Sequence, residues 1–214
     1  KLTEECDIIL SVMNPGAALE FAGSVAQAIS INKRNPLLVD CNAIAPVTMH
    51  EIDSRITAAG GRCVDGGIIG PPPRGTAKTT LYVSGPEARS LERIATPLIA
   101  ISVLSQRIGD ASAIKMCYAA MTKGVQALVL ELLVAARRLG VDAALEAQIK
   151  SSRSEVYDWV IGALPIMPPK AHRRGPERPA TAETTAGPGT TTRTVAPAPA
   201  TTTVLAPPAP GKER

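Results

Sequence analysis

The feature that most limits how this chain can fold is a regular alternation of short apolar runs with longer segments of helical spacing. Runs rich in isoleucine, leucine and valine predict five buried strands, at residues 6–12, 35–42, 62–70, 79–85 and 99–109. Between them, apolar residues three and four apart predict helices at residues 16–30, 45–61 and 86–98. Because strands that alternate with helices assemble into largely parallel sheets, the first half of the chain is predicted to be an α/β fold.

Polar or glycine-rich segments follow the first three predicted strands: "NPG" at 14–16, "DCN" at 40–42 and "DGGIIG" at 65–70. In open α/β sheets, ligands bind beyond the carboxyl ends of the strands, and glycine lets the backbone approach a ligand closely. These segments therefore predict a ligand site at that edge of the sheet. Asp40 and Asn42 have a second, compatible interpretation as a cap for the helix that begins near Pro46.

A second, all-helical region is predicted after Gly109. Its long helix, residues 111–139, carries apolar side chains at spacings of three and four, at positions 114, 117, 121, 125, 128, 132, 135 and 139. Shorter helices are predicted at 141–152 and 154–164. The remaining segment is rich in proline, threonine and alanine, and we expect it to be disordered because it has too little apolar bulk to offset its ordering entropy. The predicted units are therefore residues 1–109, 110–164 and 165–214.

The charge and the cysteines exclude several classes of protein. The net charge of +4 arises after residue 164, so the body is neutral and lacks the basic face of a nucleic-acid-binding domain; the basic run at 170–178 is interpreted as a solvated stretch. No uncharged apolar run reaches the roughly 18 to 20 residues of a membrane span. The four cysteines form no CxxC pair, which indicates reduced thiols and a cytoplasmic location. Three of them are predicted to be small core residues: Cys41, Cys63 and Cys117.

Lys115 lies near the start of the long helix, where it has two interpretations. It is either an ordinary solvated lysine or a base that can take a proton from a substrate hydroxyl. Tyr118 and Thr122 lie on nearly the same helical face, with Lys123 at its edge, so this face either binds an anionic substrate or simply meets water. The two histidines, His50 and His172, are isolated and are interpreted as surface residues, and no metal site is predicted.

Four segments together resemble the β-hydroxyacid dehydrogenase superfamily, which includes 6-phosphogluconate and 3-hydroxyisobutyrate dehydrogenases. "CDIILSVMNP" is similar to its strand that ends on the nicotinamide, and "LLVDCNAIAPVT" to its Asp-x-Ser-Thr-x-x-Pro motif. "VDGGIIGPPP" resembles its Asp-x-x-x-Ser-Gly-Gly substrate loop, and "IGDASAIKMCY" its Gly-x-Gly-x-x-x-Lys-x-x-Asn helix. The similarity extends over residues 5–177 and favours the NAD-binding, phosphogluconate dehydrogenase-like subgroup with a helical C-terminal domain.

The resemblance implies a partial Rossmann-like domain, then the long helix and an all-helical region. It also implies an NAD(P)-dependent oxidoreductase that acts on a small hydroxy acid, phosphorylated or not, and forms a homodimer. Under this interpretation Lys115 is the catalytic acid–base. The implied cofactor contacts are Asn14, Pro15 and Asn42, and the implied substrate contacts are Gly67, Gly70, Tyr118 and Thr122.

Three departures from the family pattern bear on these expectations. No Gly-x-Gly-x-x-Gly turn for a cofactor pyrophosphate occurs in the sequence, and we expect it upstream of Lys1. Ile69 stands where familiar members have the substrate-binding serine, so it is expected only as a wall of the pocket. Tyr118 and Ala119 stand where they have asparagine. The alternative hypothesis is therefore a truncated, non-catalytic piece of such an enzyme that binds no cofactor.

Overall fold

The computed structural model describes residues 1–166 and Thr184. The predicted tail, the basic run at 170–178 and His172 lie outside these residues. The described chain contains a five-stranded sheet whose strands lie in sequence order: β1 (Ile8–Ser11), β2 (Leu37–Asp40), β3 (Arg62–Ile69), β4 (Thr79–Ser84) and β5 (Ile99–Ser105). All five predicted strands are present.

The sheet is mixed, and β3 is the strand at which its direction changes. β1 pairs with β2, β2 with β3, and β4 with β5 in parallel, whereas β3 pairs with β4 in antiparallel fashion. The first half of β3 pairs with β2 and the second half with β4, and Asp65 belongs to both ladders. The α/β prediction is confirmed, with one antiparallel pair because only the loop of residues 70–78 joins β3 to β4.

Helices cover one face of the sheet over β1 to β3. These are the short α1 (Leu2–Glu5), then α2 (Ala18–Asn32) and α3 (Pro46–Ala58). Their apolar faces form a core with the first strands, contributed by Ile9, Ala22, Val25, Ile29, Leu38, Met49, Ile52 and Ile56. Lys33 ends α2 in the left-handed conformation, and Pro46 begins α3, as the sequence indicates.

A second apolar cluster lies on the other face of the sheet and corrects one helix prediction. Val39, Val64 and Val83 pack there against Ala88 and Leu91. The segment Ala88–Ile94 is a 3-10 helix and not the predicted α-helix. Its two buried side chains lie three residues apart, which matches the three-residue turn of a 3-10 helix.

The helical region begins with α4 (Asp110–Leu139), which ends at Gly140 in the left-handed conformation. It is followed by α5 (Asp142–Ala163), a single assigned helix where the sequence predicts two. Arg153 has non-helical backbone angles inside α5, so the predicted break is present as a kink within one element. The two long helices pack against each other, with Ala136, Tyr157 and Val160 buried between them.

Most of the apolar stripe on α4 faces outward. Met121, Leu128, Leu132 and Leu139 are exposed, and Cys117 is also exposed, so its predicted core position is wrong, whereas Cys41 and Cys63 are buried as expected. By length and mean hydropathy (1.5) α4 could cross a membrane, although such a helix alone is weak evidence. Its first turns pack on β3 and β4. Charged side chains occur along the helix, among them Asp110, Lys115, Lys123 and Glu131.

Candidate active site

The tips of β1 and β2 are joined by the side chain of Asn42. Its Oδ1 accepts a hydrogen bond from the Met13 backbone N–H at 2.7 Å, and its Nδ2 donates to Ser11 Oγ and to Asp40 Oδ2, both at 2.8 Å. Asn42 is buried, and both of its amide protons have protein acceptors. The structure thus places Asn42 at the predicted edge, where one lone pair of Oδ1 is left for a further donor.

Asp40 holds Asn42 in this position. Its Oδ1 accepts from the Asn42 backbone N–H at 3.0 Å. Burial raises the pKa of the Asp40 carboxyl, while its hydrogen bonds with Asn42 and Ser11 oppose that rise. Asp40 therefore braces the turn after β2. The interpretation of Asp40 and Asn42 as a cap for α3 is wrong, because the N-cap of α3 is Ala45 and no side chain caps this helix.

Asn14 and Pro15 form the open turn at the end of β1. The Asn14 side chain accepts a hydrogen bond from the Gly16 backbone N–H at 3.0 Å and caps the 3-10 turn Pro15–Ala17 that leads into α2. Asn14 itself is exposed, and so is the apolar side chain of Val12 just before it. The edge predicted for a ligand is thus accessible above β1.

The two glycines in the middle of β3 admit close packing from both sides. A β-carbon built on Gly66 would lie 2.9 Å from Cys41 Sγ and from the Asp40 carbonyl oxygen. A β-carbon on Gly67 would lie 2.6 Å from the carbonyl oxygen of Ala111 in the first turn of α4. Gly67 is predicted as a substrate contact, and its position shows a further requirement: only glycine lets α4 begin directly against β3.

Gly70 ends β3 with a φ of +132°, a conformation that side chains rarely adopt. Thr79 packs beside it, and the Thr79 hydroxyl donates to the Ile69 carbonyl oxygen at 3.1 Å. Ile69 is half-buried, consistent with its predicted role as a wall. The loop of residues 71–76 that follows is exposed and begins with three prolines.

Asp65 of β3 fixes the beginning of α4 across the sheet. Its Oδ2 accepts from the backbone N–H groups of Gly109 at 3.0 Å and Ser112 at 2.9 Å, and its Oδ1 accepts from Ser112 Oγ at 2.6 Å. Ser84 of β4 donates to Asp65 Oδ2 at 3.1 Å and accepts from the Ala111 N–H at 3.0 Å. Burial raises the pKa of Asp65, and these hydrogen bonds oppose the rise.

Lys115 lies in the second turn of α4 and reaches back to β3. Its Nζ donates to the carbonyl oxygen of Ile68, beside the glycines at the end of the parallel strands. Desolvation lowers the pKa of Lys115 from its usual value, and the nearby Cys41 works in the opposite direction. The Cys41 thiol stays neutral, because burial raises its pKa to about 12. Lys115 is therefore a half-buried amine at the predicted edge, not a lysine on a solvated face.

The other residues predicted on this face of α4 lie farther along the helix. Thr122 lies almost two full turns beyond Lys115, about 10 Å along the axis. Its hydroxyl lies within hydrogen-bond distance of the Tyr118 and Ala119 carbonyl oxygens, at 3.0 and 3.2 Å. Tyr118 is about half exposed. The structure therefore brings Lys115 to the glycines of β3, whereas Tyr118 is exposed and Thr122 is half-buried farther along the helix.

Sequence reasoning missed the roles of Asp65, Ser84 and Ser112. A signal was present, because Gly109 precedes α4 and has no side chain with which to cap it, so the cap has to come from elsewhere. The two serines carry no such signal. His50 is exposed, as predicted, and in the described part of the chain no three His, Cys, Asp or Glu side chains gather as they would around a metal ion.

Comparisons with known proteins match this chain to one structural group. No family model matches the chain. Among curated proteins, it is 31% identical over 146 residues to an uncharacterized 28.5 kDa protein of Methanothermus fervidus, covering 68% of this chain and 54% of that one. It is 26% identical over 181 residues to the mitochondrial 3-hydroxyisobutyrate dehydrogenase of Drosophila melanogaster, covering 78% and 54%. The chain thus spans about half the length of these relatives.

Solved structures give the same result. The conserved protein MTH1747, of unknown function and described as structurally similar to 3-hydroxyacid dehydrogenases, matches with 30% identity and a TM-score of 0.66, covering 84% of this chain and 67% of that one. Two more distant structures share the fold alone. An imine reductase from Myxococcus stipitatus in complex with NAD+ has 21% identity and a TM-score of 0.58, covering 80% and 60%. The 3-hydroxyisobutyrate dehydrogenase of Mycobacterium tuberculosis with L-serine has 20% and 0.56, covering 72% and 54%.

The predicted superfamily is therefore confirmed, whereas the subgroup within it stays a prediction. The sheet with its parallel strands, the long helix that starts on β3, and the similarity to MTH1747 agree with one another. The chain belongs to the 3-hydroxyacid dehydrogenase-like family of Rossmann-type oxidoreductases.

Proposed function

We propose that this chain takes part in NAD(P)-dependent oxidation of a small hydroxy acid, with Lys115 as the catalytic acid–base. The observation that carries the proposal is the position of the Lys115 amine, half-buried at the carboxyl edge of the parallel strands and bonded to the Ile68 carbonyl. The alternative, a non-catalytic piece that binds no cofactor, is not favoured by the similarity to dehydrogenases and reductases. Phosphorylation of the substrate stays an open part of the prediction.

The chemistry asked of Lys115 is a proton transfer. Oxidation of an alcohol requires its hydroxyl proton to leave, and a neutral amine within hydrogen-bond reach can accept it. The lowered pKa of Lys115 increases the neutral fraction near neutral pH, which suits a general base. In the reverse direction the protonated amine returns the proton to the carbonyl oxygen and stabilises the negative charge that develops there.

The edge above β1 and β2 fits the nicotinamide end of a cofactor. The exposed Val12 offers an apolar surface, and the exposed Asn14 and the free lone pair of Asn42 Oδ1 offer polar contacts for a carboxamide. We propose that Asn14, Pro15 and Asn42 hold this end, and that the group supplies hydride acceptance when bound. Complexes with NAD+ and NADP+ are known for imine reductases of the same fold.

The same geometry supports a set of proposed substrate contacts. We propose that Gly67 and Gly70 bring backbone close to the substrate near Lys115, with Ile69 beside them as an apolar wall. Tyr118 and Thr122 extend the contact surface along α4, and a carboxylate is the group that the ammonium form of Lys115 would attract. The binding of L-serine by a dehydrogenase of this fold supports a small polar acid.

Organisation and location complete the proposal. Residues 1–109 would form the cofactor-side domain, and residues 110–164 a helical domain whose first turns complete the site. The outward apolar stripe of α4 supports a homodimer in which two such helices pack together. A cytoplasmic location is proposed from the four free thiols, and the neutral body supports the absence of a nucleic-acid partner.

A fluorescence titration with NADH and NADPH tests the cofactor half of this proposal. We expect the nicotinamide emission to change on binding to the chain, and Lys115→Ala to bind as tightly as wild type, because the amine acts on the substrate. Asn14→Ala should weaken binding, whereas Asn35→Ala at the opposite end of the sheet should not. If wild type binds neither cofactor at high concentration, the non-catalytic alternative would be favoured.

A further inference from the structure

We propose that Asp65, together with Ser84 and Ser112, is a positioning residue that sets the register of α4 on β3 and so holds the Lys115 amine at the active edge. This inference rests on the proposed role of Lys115 and adds residues to that site. The alternation of strands and the lysine motif do not indicate it, because its contacts join residues 27 to 47 positions apart.

The first argument is that α4 has no cap of its own. The first N–H groups of an α-helix lack intrahelical acceptors, and a side chain at the N-cap normally supplies one. Gly109 at the N-cap of α4 has no side chain, and its φ of +98° suits glycine. The acceptors come instead from the sheet, from Asp65 for two N–H groups and from Ser84 for a third.

The second argument is charge. A helix of 30 residues concentrates partial positive charge at its N-terminus, and the buried Asp65 carboxylate lies at that end of α4. Each of its four donors points its hydrogen at a carboxylate oxygen: two backbone N–H groups and two serine hydroxyls. This donor set fits an acceptor-only carboxylate and does not fit a side-chain amide, which would bring its own hydrogens.

The third argument is the spacing of two hydrogen bonds that join α4 to β3. Ser112 precedes Lys115 by three residues, so both lie on the same side of α4. Asp65 precedes Ile68 by three residues on β3. The bonds from Ser112 to Asp65 and from Lys115 to Ile68 therefore hold the two elements at successive points. Between them Gly67 admits the Ala111 carbonyl, so a shift of α4 at Asp65 must also move Lys115 away from Ile68.

The test measures the protonation of Lys115 itself. The chain is acylated briefly with acetic anhydride over a range of pH, and the modified fraction of Lys115 is read by peptide mass spectrometry against the exposed Lys33. Ser112→Ala removes the hydroxyl bond to Asp65 and leaves the charge in place, and Asp65→Asn removes the charge. The matched control is Ser105→Ala, which removes a 2.6 Å bond to Asp110 at the same helix start without touching Asp65.

We expect the Lys115 midpoint to move upward, toward the ordinary lysine value of 10.5, in Ser112→Ala and Asp65→Asn, because the amine leaves its half-buried position. Ser105→Ala should keep the wild-type midpoint. An unchanged midpoint in folded Ser112→Ala would overturn the proposal. A downward shift in Asp65→Asn would do so as well, because it would mean that Asp65 acts through its charge alone. If Asp65→Asn does not fold, Ser112→Ala decides.

A kinetic arm separates this inference from the proposed function. With a hydroxy acid that wild type oxidises, Ser112→Ala should lower kcat by about tenfold to a hundredfold with the KM for cofactor unchanged, because a misplacement of about 1 Å is enough for such a loss. An unchanged kcat would contradict the positioning role. If wild type oxidises none of the acids tried, the proposed function fails, while the labelling result still shows whether Asp65 positions Lys115.

Discussion

Lys115 is the residue whose surroundings differ most clearly from those of an ordinary, solvated lysine. It is half-buried on α4, and its Nζ donates a hydrogen bond to a backbone carbonyl of another element, β3. Desolvation disfavours its ammonium form, so the folded chain pays for keeping a proton there. A stabilising role for this lysine is therefore not expected, and this agrees with the catalytic role proposed for it.

Replacing Lys115 with methionine should stabilise the fold in a pH-dependent way. Because the folded pKa of Lys115 lies below its unfolded value, the unfolded chain binds more protons between the two, and the free energy of unfolding of wild type rises with pH through that window. The advantage of Lys115→Met should be full below the window and vanish near pH 10.5. Urea denaturation from pH 7 to 10 measures it, and Lys33→Met should retain the wild-type pH dependence. A constant difference between Lys115→Met and wild type would refute the prediction.

Gly67→Ala tests the close packing of β3 and α4. The added methyl would lie 2.6 Å from the Ala111 carbonyl oxygen, so we expect a loss of about 1–3 kcal/mol in the free energy of unfolding. Gly124→Ala is the matched control, because Gly124 lies inside α4 with no atom within 4 Å of the added carbon. It should stabilise by about 0.5–1 kcal/mol. Equal effects of the two substitutions in thermal or urea unfolding would show that the contact is not tight.

At the scale of elements, the sequence predicts what local spacing determines. The five strands and the polar tips of β1 and β2 follow from apolar runs and their ends, and Lys115 lies where the helix motif puts it. The sequence does not predict the 3-10 segment, because helical spacing over two turns fits either helix type. Nor does it predict the Asp65 bonds to α4, because they depend on how two distant elements pack.

The free energy of unfolding is expected to depend on Asn42, whose side chain joins the ends of β1 and β2. Asn42→Ala leaves the Met13 N–H without its side-chain acceptor and takes one partner from Ser11 and from Asp40, at a cost of about 1–3 kcal/mol in unfolding free energy. Asn35→Ala, at the exposed start of β2, should lie within about 0.5 kcal/mol of wild type. Comparable losses from both, measured by urea unfolding, would indicate that the Asn42 bonds contribute little.

At the scale of the whole molecule, the exposed stripe of α4 is the feature that the rest of the described chain leaves uncovered. Met121, Leu128, Leu132 and Leu139 recur at spacings of seven, four and seven residues and are all at least half exposed. The spacing of apolar residues is the same whether the stripe faces a core or a partner. It therefore predicts the helix correctly but does not determine whether Cys117 is buried. A second copy of the chain is the proposed cover.

Leu132→Glu should separate such a dimer. A charge in the middle of the stripe would be buried against the partner, so we expect size-exclusion chromatography with light scattering to give the mass of a dimer for wild type and of a monomer for the variant. Ile31→Glu changes an equally apolar and more exposed residue on α2 and should remain dimeric. A monomeric wild type at every concentration tested would contradict the proposed assembly.

The central claim is that Lys115 exchanges a proton with a hydroxy acid while a nicotinamide cofactor is reduced, and chemical rescue tests it most directly. The measurement is the rate of cofactor reduction at 340 nm by Lys115→Ala, with and without added methylamine. We expect the variant to lose a factor of about 10² to 10⁴, and methylamine to restore part of the rate in proportion to its neutral form, while Lys33→Ala keeps the wild-type rate. A Lys115→Ala variant that turns over as fast as wild type would contradict the account.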